Sequence, residues 1–213
     1  MRLYIIRHGE TSWNVERKLQ GQKGADLNEK GIRLAEITRD ALKDIPFDLC
    51  ITSPALRARH TAEIIMEGRN VPVIEDERLI EISFGEWEGK KSLGEDPEIP
   101  PERFRPFFTD SWNYIPPEGG ESIRQIIDRS GEFLDELLSN NNYRDKTIML
   151  SSHGCAVRAL LHFVYEDNSD FWHGSVPPNC AVSIVDAADG KMELIAEDQV
   201  YYEDKFDIDV YFK

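Results

Sequence analysis

Three apolar runs in this chain end in residues able to do chemistry. The run at 3–6 stops at Arg7-His8-Gly9. The run at 49–52 stops at Ser53-Pro54, with Arg57 one helical turn later. The run at 147–151 stops at Ser152-His153-Gly154. If the three runs are parallel neighbours in an open α/β sheet, their C-terminal ends lie along one edge, where such sheets bind ligands. Arg7, His8, Arg57 and His153 then converge. Two arginines and two histidines suit a phosphoryl group, because the planar guanidinium fork matches phosphate oxygens bidentately. A histidine attacks phosphorus only through a neutral ring nitrogen, so it must be held unprotonated and in one tautomer. Neighbouring arginines disfavour the imidazolium. Gly9 lets the backbone approach closely and set the ring. Transfer to histidine also needs a proton for the leaving oxygen. A partly protonated carboxyl would supply it and later activate water. The chain has 40 acidic residues, and composition alone does not choose among them.

The elements that must position these groups alternate between strand and helix. Residues 2–6 read as a short, buried, β-branched strand. A helix from Asn28 or Glu29 to about Ile45 carries its apolar residues along one side. Residues 48–52 form a second strand. Ser53 then reads as an N-cap and Pro54 as the first residue of a helix running to about Glu67. Residues 71–75 read as a short strand. Ser122 and Gln125 make a capping box that opens a helix to about Ser139. Residues 147–151 are a further strand, followed by a helix to about Tyr165. Residues 181–185 and 192–196, with Asp189-Gly190 between them, read as a hairpin. The alternation implies a single α/β domain over 1–213, with a mostly parallel mixed sheet, helices on both faces and one antiparallel edge.

Residues 86–120 break this rhythm. They hold six prolines and the aromatics Phe104, Phe107, Phe108, Trp112 and Tyr114. We read them as an inserted, lid-like excursion with one short helix over 101–113. Its aromatics form a satellite core or line a substrate pocket.

The net charge of −15 gives nucleic acid or an anionic membrane no attractive field. It leaves room for a small anionic substrate, because salt screens charges beyond about 8 Å. No apolar stretch approaches the ~18 residues of a membrane span, and the N-terminus carries no signal-peptide pattern. Cys50, Cys155 and Cys180 cannot all pair and show no CxxC spacing, which suits a reducing cytoplasm. Cysteine-based phosphate chemistry fits poorly: Cys50 precedes Arg57 by seven positions from inside a strand, and Cys155 precedes Arg158 by three. There is no HExxH pair and no GxSxG elbow. His60, His162 and His173 read as structural or exposed, and Arg59 as a solvated neighbour of Arg57.

Six segments in order resemble the histidine phosphatase superfamily, which includes the phosphoglycerate mutases. They are RHGET-x-WN at 7–14, GQKGADLNEKG at 21–31, SPALRARHTA at 53–62, RLIEISFGEWEG at 78–89, PPEGGES at 116–122 and SSHG at 151–154. The resemblance implies a mixed, mostly parallel sheet with helices on both sides, and chemistry without a metal or other cofactor. It implies that His8 is the nucleophile, that Arg7, Arg57 and His153 bind phosphate, and that Glu81 is the proton donor. It places Asn14 against the phosphate, with Gln20 and Glu10 near the same pocket. The expected activity is hydrolysis of a small phosphomonoester through a phosphohistidine. The alternatives are a cofactor-dependent phosphoglycerate mutase, which passes the phosphate to a second hydroxyl, and a non-catalytic phosphate-binding module. The brief insertion after FGEWEG favours the phosphatase. Neither the metabolite nor the oligomeric state is legible.

Overall fold

A computed structural model describes residues 1–94, 96–188 and 190–203. Six strands form one sheet: β1 (Arg2–Arg7), β2 (Leu49–Thr52), β3 (Val73–Glu75), β4 (Thr147–Ser152), β5 (Val182–Ala188) and β6 (Lys191–Gln199), in the order β3-β2-β4-β1-β5-β6. The first four in that order are mutually parallel; β5 pairs antiparallel with β1, and β6 antiparallel with β5. The expected mixed sheet with an antiparallel edge is therefore present. Asp189, in the turn expected between β5 and β6, lies outside the described residues.

Alternation along β1 shows why the sheet needs cover on both sides. Leu3 and Ile5 join one buried cluster with Ile148, Leu150, Phe133, Leu137 and Leu160. Tyr4 and Ile6 join another with Met149, Phe47, Ala62 and Ile65. Successive side chains point to opposite faces, so a strand apolar at every position is a central strand. The first face is covered by α6 (Ile123–Ser139) and α7 (Gly154–Leu161), the second by α3 (Leu56–Met66), against which α2 (Glu29–Ala41) packs. The capping box of α6 is formed as read: Ser122 N–H donates to Gln125 Oε1 at 2.8 Å, and Gln125 N–H to Ser122 Oγ at 3.4 Å.

Four helix boundaries differ from the sequence reading, and one is that of α2, which ends at Ala41, short of Ile45. α3 starts later, with Ala55 as its N-cap in an extended conformation (φ −63°, ψ 130°). Ser53 Oγ instead accepts the Ala55 N–H at 3.2 Å and lies 2.8 Å from His153 Nε2, so its hydroxyl serves the sheet edge. The helix expected over 101–113 is two single turns, α4 (Pro101–Phe104) and α5 (Pro106–Thr109), followed by a 3-10 turn at Ser111–Asn113. Pro106 has no N–H for a continuing helix and begins a new turn. α7 ends at Leu161, short of Tyr165. A four-residue helix, α1 (Ser12–Val15), follows the end of β1.

Four of the five aromatics named for residues 86–120 are buried, and Trp112 is partly buried. Phe104, Phe107, Phe108 and Tyr114 pack in one cluster with Phe84, Trp87, Phe171, Trp172 and the apolar faces of α6 and α7. Phe104 and Phe107 stack with centroids 5.5 Å apart. Two indole N–H groups tie this stretch to the chain after α7: Trp172 donates to Phe107 O at 2.8 Å and Trp112 to Ser169 O at 3.1 Å. No helix among the described residues is long and apolar enough to cross a membrane.

Candidate active site

The parallel register brings the three strand ends together. Arg7 lies opposite Ser152 on β4, and Thr52 lies opposite Ser151 on its other side. His8 N–H donates to Ser152 O and Ser53 N–H to Ser151 O, both at 2.9 Å. His153, at the end of the central β4, thus falls between His8 and Ser53. The two imidazole rings are 5.2 Å apart, centroid to centroid, at 60°.

Gly9 permits the turn that presents His8. A Cβ there would sit 2.6 Å from Gly31 O at the start of α2, a separation no side chain tolerates. His8 Nδ1 lies 2.7 Å from Gly9 O. A carbonyl only accepts, so Nδ1 carries the proton and Nε2 is left with its lone pair. Arg57 Nε–H donates to that Nε2 at 3.2 Å. Burial, then Arg57 and Arg7, hold the His8 pKa well below the ordinary histidine value. The ring is therefore neutral, in one tautomer, and only 3% exposed.

His153 is neutral for similar reasons: burial first, then the charges of Arg57 and other neighbours, push its pKa well down. With Ser53 Oγ already accepting from Ala55, the Ser53 hydroxyl proton is free to go to His153 Nε2. With that bond made, the ring proton sits on Nδ1, a buried nitrogen with no partner among the described residues. Arg7 shows the same pattern. Its Nη1 donates to Pro177 O, while its buried Nε–H has no acceptor. Unpartnered buried donors are costly unless a ligand supplies the acceptor. Arg57 is anchored by Nη1 to Lys23 O at 2.9 Å and Nη2 to Gly21 O at 2.7 Å. Burial lowers its pKa to about 10, so it stays cationic near neutrality.

Glu81 reaches the same place from the irregular stretch after a 3-10 turn at Glu77–Leu79. Its Oε1 accepts from Ile82 N–H at 2.9 Å and Ala156 N–H at 3.1 Å, and its Oε2 from Cys155 N–H at 3.1 Å. The carboxylate thus lies at the N-terminus of α7, beside Gly154. A Cβ at Gly154 would come 3.6 Å from Arg7 Nε and 3.7 Å from Glu81 Oε2.

Arg7, His8, Asn14, Gln20, Arg57 and Glu81 all line one pocket of about 90 Å³, and His153 lies behind it, fully buried. Asn14 and Gln20 are oriented through Thr11. Thr11 Oγ1 is 3.0 Å from both amide oxygens, and its single proton serves one at a time. Glu10 does not line the pocket: Asn28 Nδ2–H donates to its Oε1 at 2.9 Å, and Lys30 lies 3.8 Å from its other oxygen. Glu88, seven residues after Glu81, accepts from Gln22, Lys23 and Phe84 N–H groups and fixes the 20–24 loop. Arg59 pairs with Glu63 and Glu75 on the surface, as expected. The far wall is apolar: Leu19, Phe84, Phe104, Phe107, Phe108, Trp172 and Val176. Trp112 and Tyr114 do not reach it.

Several supports had no signal in the sequence. Asn179 Nδ2–H donates to His8 O at 2.9 Å. Arg158, 1% exposed, donates from Nε (3.1 Å) and Nη2 (2.9 Å) to Ser175 O, steadying the loop that carries Pro177. Three thiols, Cys50, Cys155 and Cys180, are free and buried. Burial raises the Cys155 pKa well above its ordinary value, with Glu81 adding to the effect, so this pocket thiol stays protonated. Among the described residues, no group of three or more His, Cys, Asp or Glu side chains is placed to hold a metal ion.

Known proteins share this arrangement of fold and sequence. The chain is 34% identical over 157 residues to an uncharacterized phosphatase, PhoE, of Bacillus subtilis, covering 74% of each. It is 31% identical to the adenosylcobalamin/alpha-ribazole phosphatase of Salmonella typhimurium, over 89% of this chain and 92% of that one. The solved structure of Bacillus stearothermophilus YhfR superposes with a TM-score of 0.85 at 31% identity, covering 93% of this chain and 97% of that one. Phosphatases and phosphoglycerate mutase-like proteins both occur among the relatives. The family model described as histidine phosphatase superfamily (branch 1) matches residues 3–198, and the chain belongs to that superfamily.

Proposed function

We propose that this chain is a metal-independent phosphomonoester hydrolase that works through a phosphohistidine on His8. The observation that carries this reading is the state of His8: a buried, neutral ring with its proton on Nδ1 and its Nε2 lone pair beside two guanidinium groups. A phosphoryl group entering the pocket offers oxygens to Arg7 Nε–H, His153 Nδ1–H and Arg57, the first two being donors without protein acceptors. A phosphoryl oxygen replaces His8 Nε2 as the acceptor of the fixed Arg57 Nε–H, which frees the lone pair. The Nε2–P bond forms as the P–O bond to the leaving group breaks, and Glu81 delivers its proton to the leaving oxygen. In the second step, Glu81 takes a proton from water as the water oxygen attacks phosphorus and the Nε2–P bond breaks. Arg7, Arg57 and His153 hold the equatorial oxygens in both steps. The Asn14 and Gln20 amides, oriented through Thr11, add donors at the rim.

The lining supports a substrate class. Among the described residues, the cation on the pocket wall beyond Arg7 and Arg57 is Lys18, whose Nζ lies 2.6 Å from a Glu16 carboxylate oxygen. No uncommitted cation waits for a second anionic group, and the opposite wall is aromatic. This fits a monophosphate with an apolar or ring-bearing remainder better than a phosphoglycerate, and hydrolysis better than mutase chemistry. The 86–120 insertion supplies Phe104, Phe107 and Phe108 to that wall, so we assign it the role of covering the leaving-group side. The three unpaired thiols fit a reducing cytoplasm. The test is phosphate release from an aryl phosphate with a chelator present, for wild type beside His8→Ala. Release by wild type that vanishes in the variant supports the reading; equal release by both rejects it.

A further inference from the structure

Glu81 sits on a stretch with no regular secondary structure, yet general acid catalysis needs its carboxyl within hydrogen-bond reach of one particular oxygen. The side chain is tied to α7 by two backbone N–H groups, those of Cys155 and Ala156, and accepts a third from its neighbour Ile82. Something else must hold the backbone from which it springs. Arg129, in the middle of α6, does so directly. Its Nη2–H donates to Glu81 O at 3.1 Å and its Nη1–H to Arg78 O at 2.8 Å. The remaining face of the guanidinium is held by Glu121, with Nε to Oε1 at 3.0 Å and Nη2 to Oε2 at 3.1 Å. Glu121 Oε2 also accepts Ser83 N–H at 2.8 Å. The pair therefore grips the backbone at 78, 81 and 83 and fastens it to α6. Both side chains are largely buried, at 16% and 20% exposed, and neither lines the pocket.

We infer that Arg129 and Glu121 form a positioning pair for the proton donor: they set where the Glu81 carboxyl meets the leaving oxygen without touching substrate. This rests on the role proposed above for Glu81. A lysine at 129 keeps the charge but cannot span two carbonyls and both Glu121 oxygens, because an ammonium is a point charge and not a fork. The phosphate cradle of Arg7, Arg57 and His153 draws nothing from the pair by hydrogen bond. Loss of the pair should therefore slow proton delivery selectively.

Leaving-group chemistry reads this out. p-Nitrophenolate departs without help, whereas an alkoxide from benzyl phosphate needs its proton. We would measure kcat/KM for both esters in wild type, Arg129→Lys, Glu121→Gln and Glu81→Gln, with melting temperatures alongside. The expected result is that Arg129→Lys and Glu121→Gln lose about tenfold on benzyl phosphate and about twofold or less on p-nitrophenyl phosphate, a fraction of the ~10²–10⁴ a general acid supplies. Glu81→Gln should show the same bias more strongly. An equal loss on both esters in the two positioning variants overturns the inference, because that is the signature of a merely structural role. No loss on either ester overturns it as well. Should Arg129→Lys not fold, Glu121→Gln alone decides by the same criterion. If Glu81→Gln shows no leaving-group bias while wild type turns over, the assigned proton donor is wrong and the pair has nothing to position. The histidine route is judged separately, by His8→Ala.

Discussion

Arg57 donates its Nε–H to Nε2 of His8 across 3.2 Å, the ring nitrogen with the free lone pair. Beyond the burial that chiefly keeps the imidazole neutral, one guanidinium adds to that effect, orients the ring, and stands where a phosphoryl oxygen would accept the same proton. Its other nitrogens are committed to Gly21 O and Lys23 O, so the group is held as a rigid fork.

Arg57→Lys should therefore fail despite keeping the charge. A lysine cannot hold both carbonyls and still donate toward Nε2. We expect kcat/KM for an aryl phosphate to fall by about 10²-fold, the usual cost of losing one aimed donor at a charge-developing site. Steady-state kinetics on a variant with a cooperative melting transition would check this. A loss under threefold would show that charge alone suffices.

Acid should weaken the fold before it protonates the nucleophile. His8 and His153 have folded pKa values well below the ordinary 6.5, so below pH ~6.5 the unfolded chain binds protons that the native state does not. Stability is full above that pH and falls as pH drops towards the depressed folded values, by up to about 1.4 kcal/mol per pH unit for each histidine. Denaturant melts at pH 7.5, 6.5 and 5.5 should show the decline, and His153→Gln should flatten it by about half. An identical pH slope in the variant would mean that the charge-free burial of His153 is misjudged.

Gly154→Ala should injure activity more than stability. The new methyl would meet Val176 Cγ1 at 3.0 Å and come 3.6 Å from Arg7 Nε and 3.7 Å from Glu81 Oε2. Val176 must give by a few tenths of an ångström, which costs little, but the methyl adds bulk in contact with both the phosphate donor and the proton donor. We expect a kcat/KM loss of at least about tenfold with a stability change of about 1 kcal/mol or less. Kinetics paired with denaturant unfolding would check it; unchanged kinetics would contradict it.

Phe107 and Trp112 should separate in their effect on substrate choice. Phe107 lines the pocket; Trp112 packs near Phe171 and His162, away from it. Phe107→Leu should reorder the kcat/KM ranking of alkyl, benzyl and naphthyl phosphates, whereas Trp112→Leu should keep it. A preserved ranking in Phe107→Leu would remove the aromatic wall from the account of specificity.

The sheet edge was legible because the signals were local. An apolar run broken by Arg-His-Gly or Ser-His-Gly marks a buried strand end, and parallel topology brings such ends together without further information. Glu81 was legible only through the family resemblance, since nothing in composition separates it from Glu88, which the fold uses to fix a loop. Ser53 read as a helix cap because serine before proline has that preference. Its bond to His153, one hundred residues away, decided otherwise. Glu10 was expected near the pocket by its place in the motif, but the next turn of chain points it at Asn28 and Lys30. Arg129, Arg158 and Asn179 had no signal, because each acts on backbone carbonyls that only the folded chain brings within reach.

The central claim is a covalent phosphohistidine on His8, and trapping it is the most direct test. Wild-type protein mixed with a labelled aryl phosphate and a chelator, then denatured rapidly in base, should retain phosphate in an acid-labile, base-stable linkage on the peptide containing His8. His8→Ala should retain none and release none. Label recovered on another residue, or turnover undiminished in His8→Ala, would contradict the account.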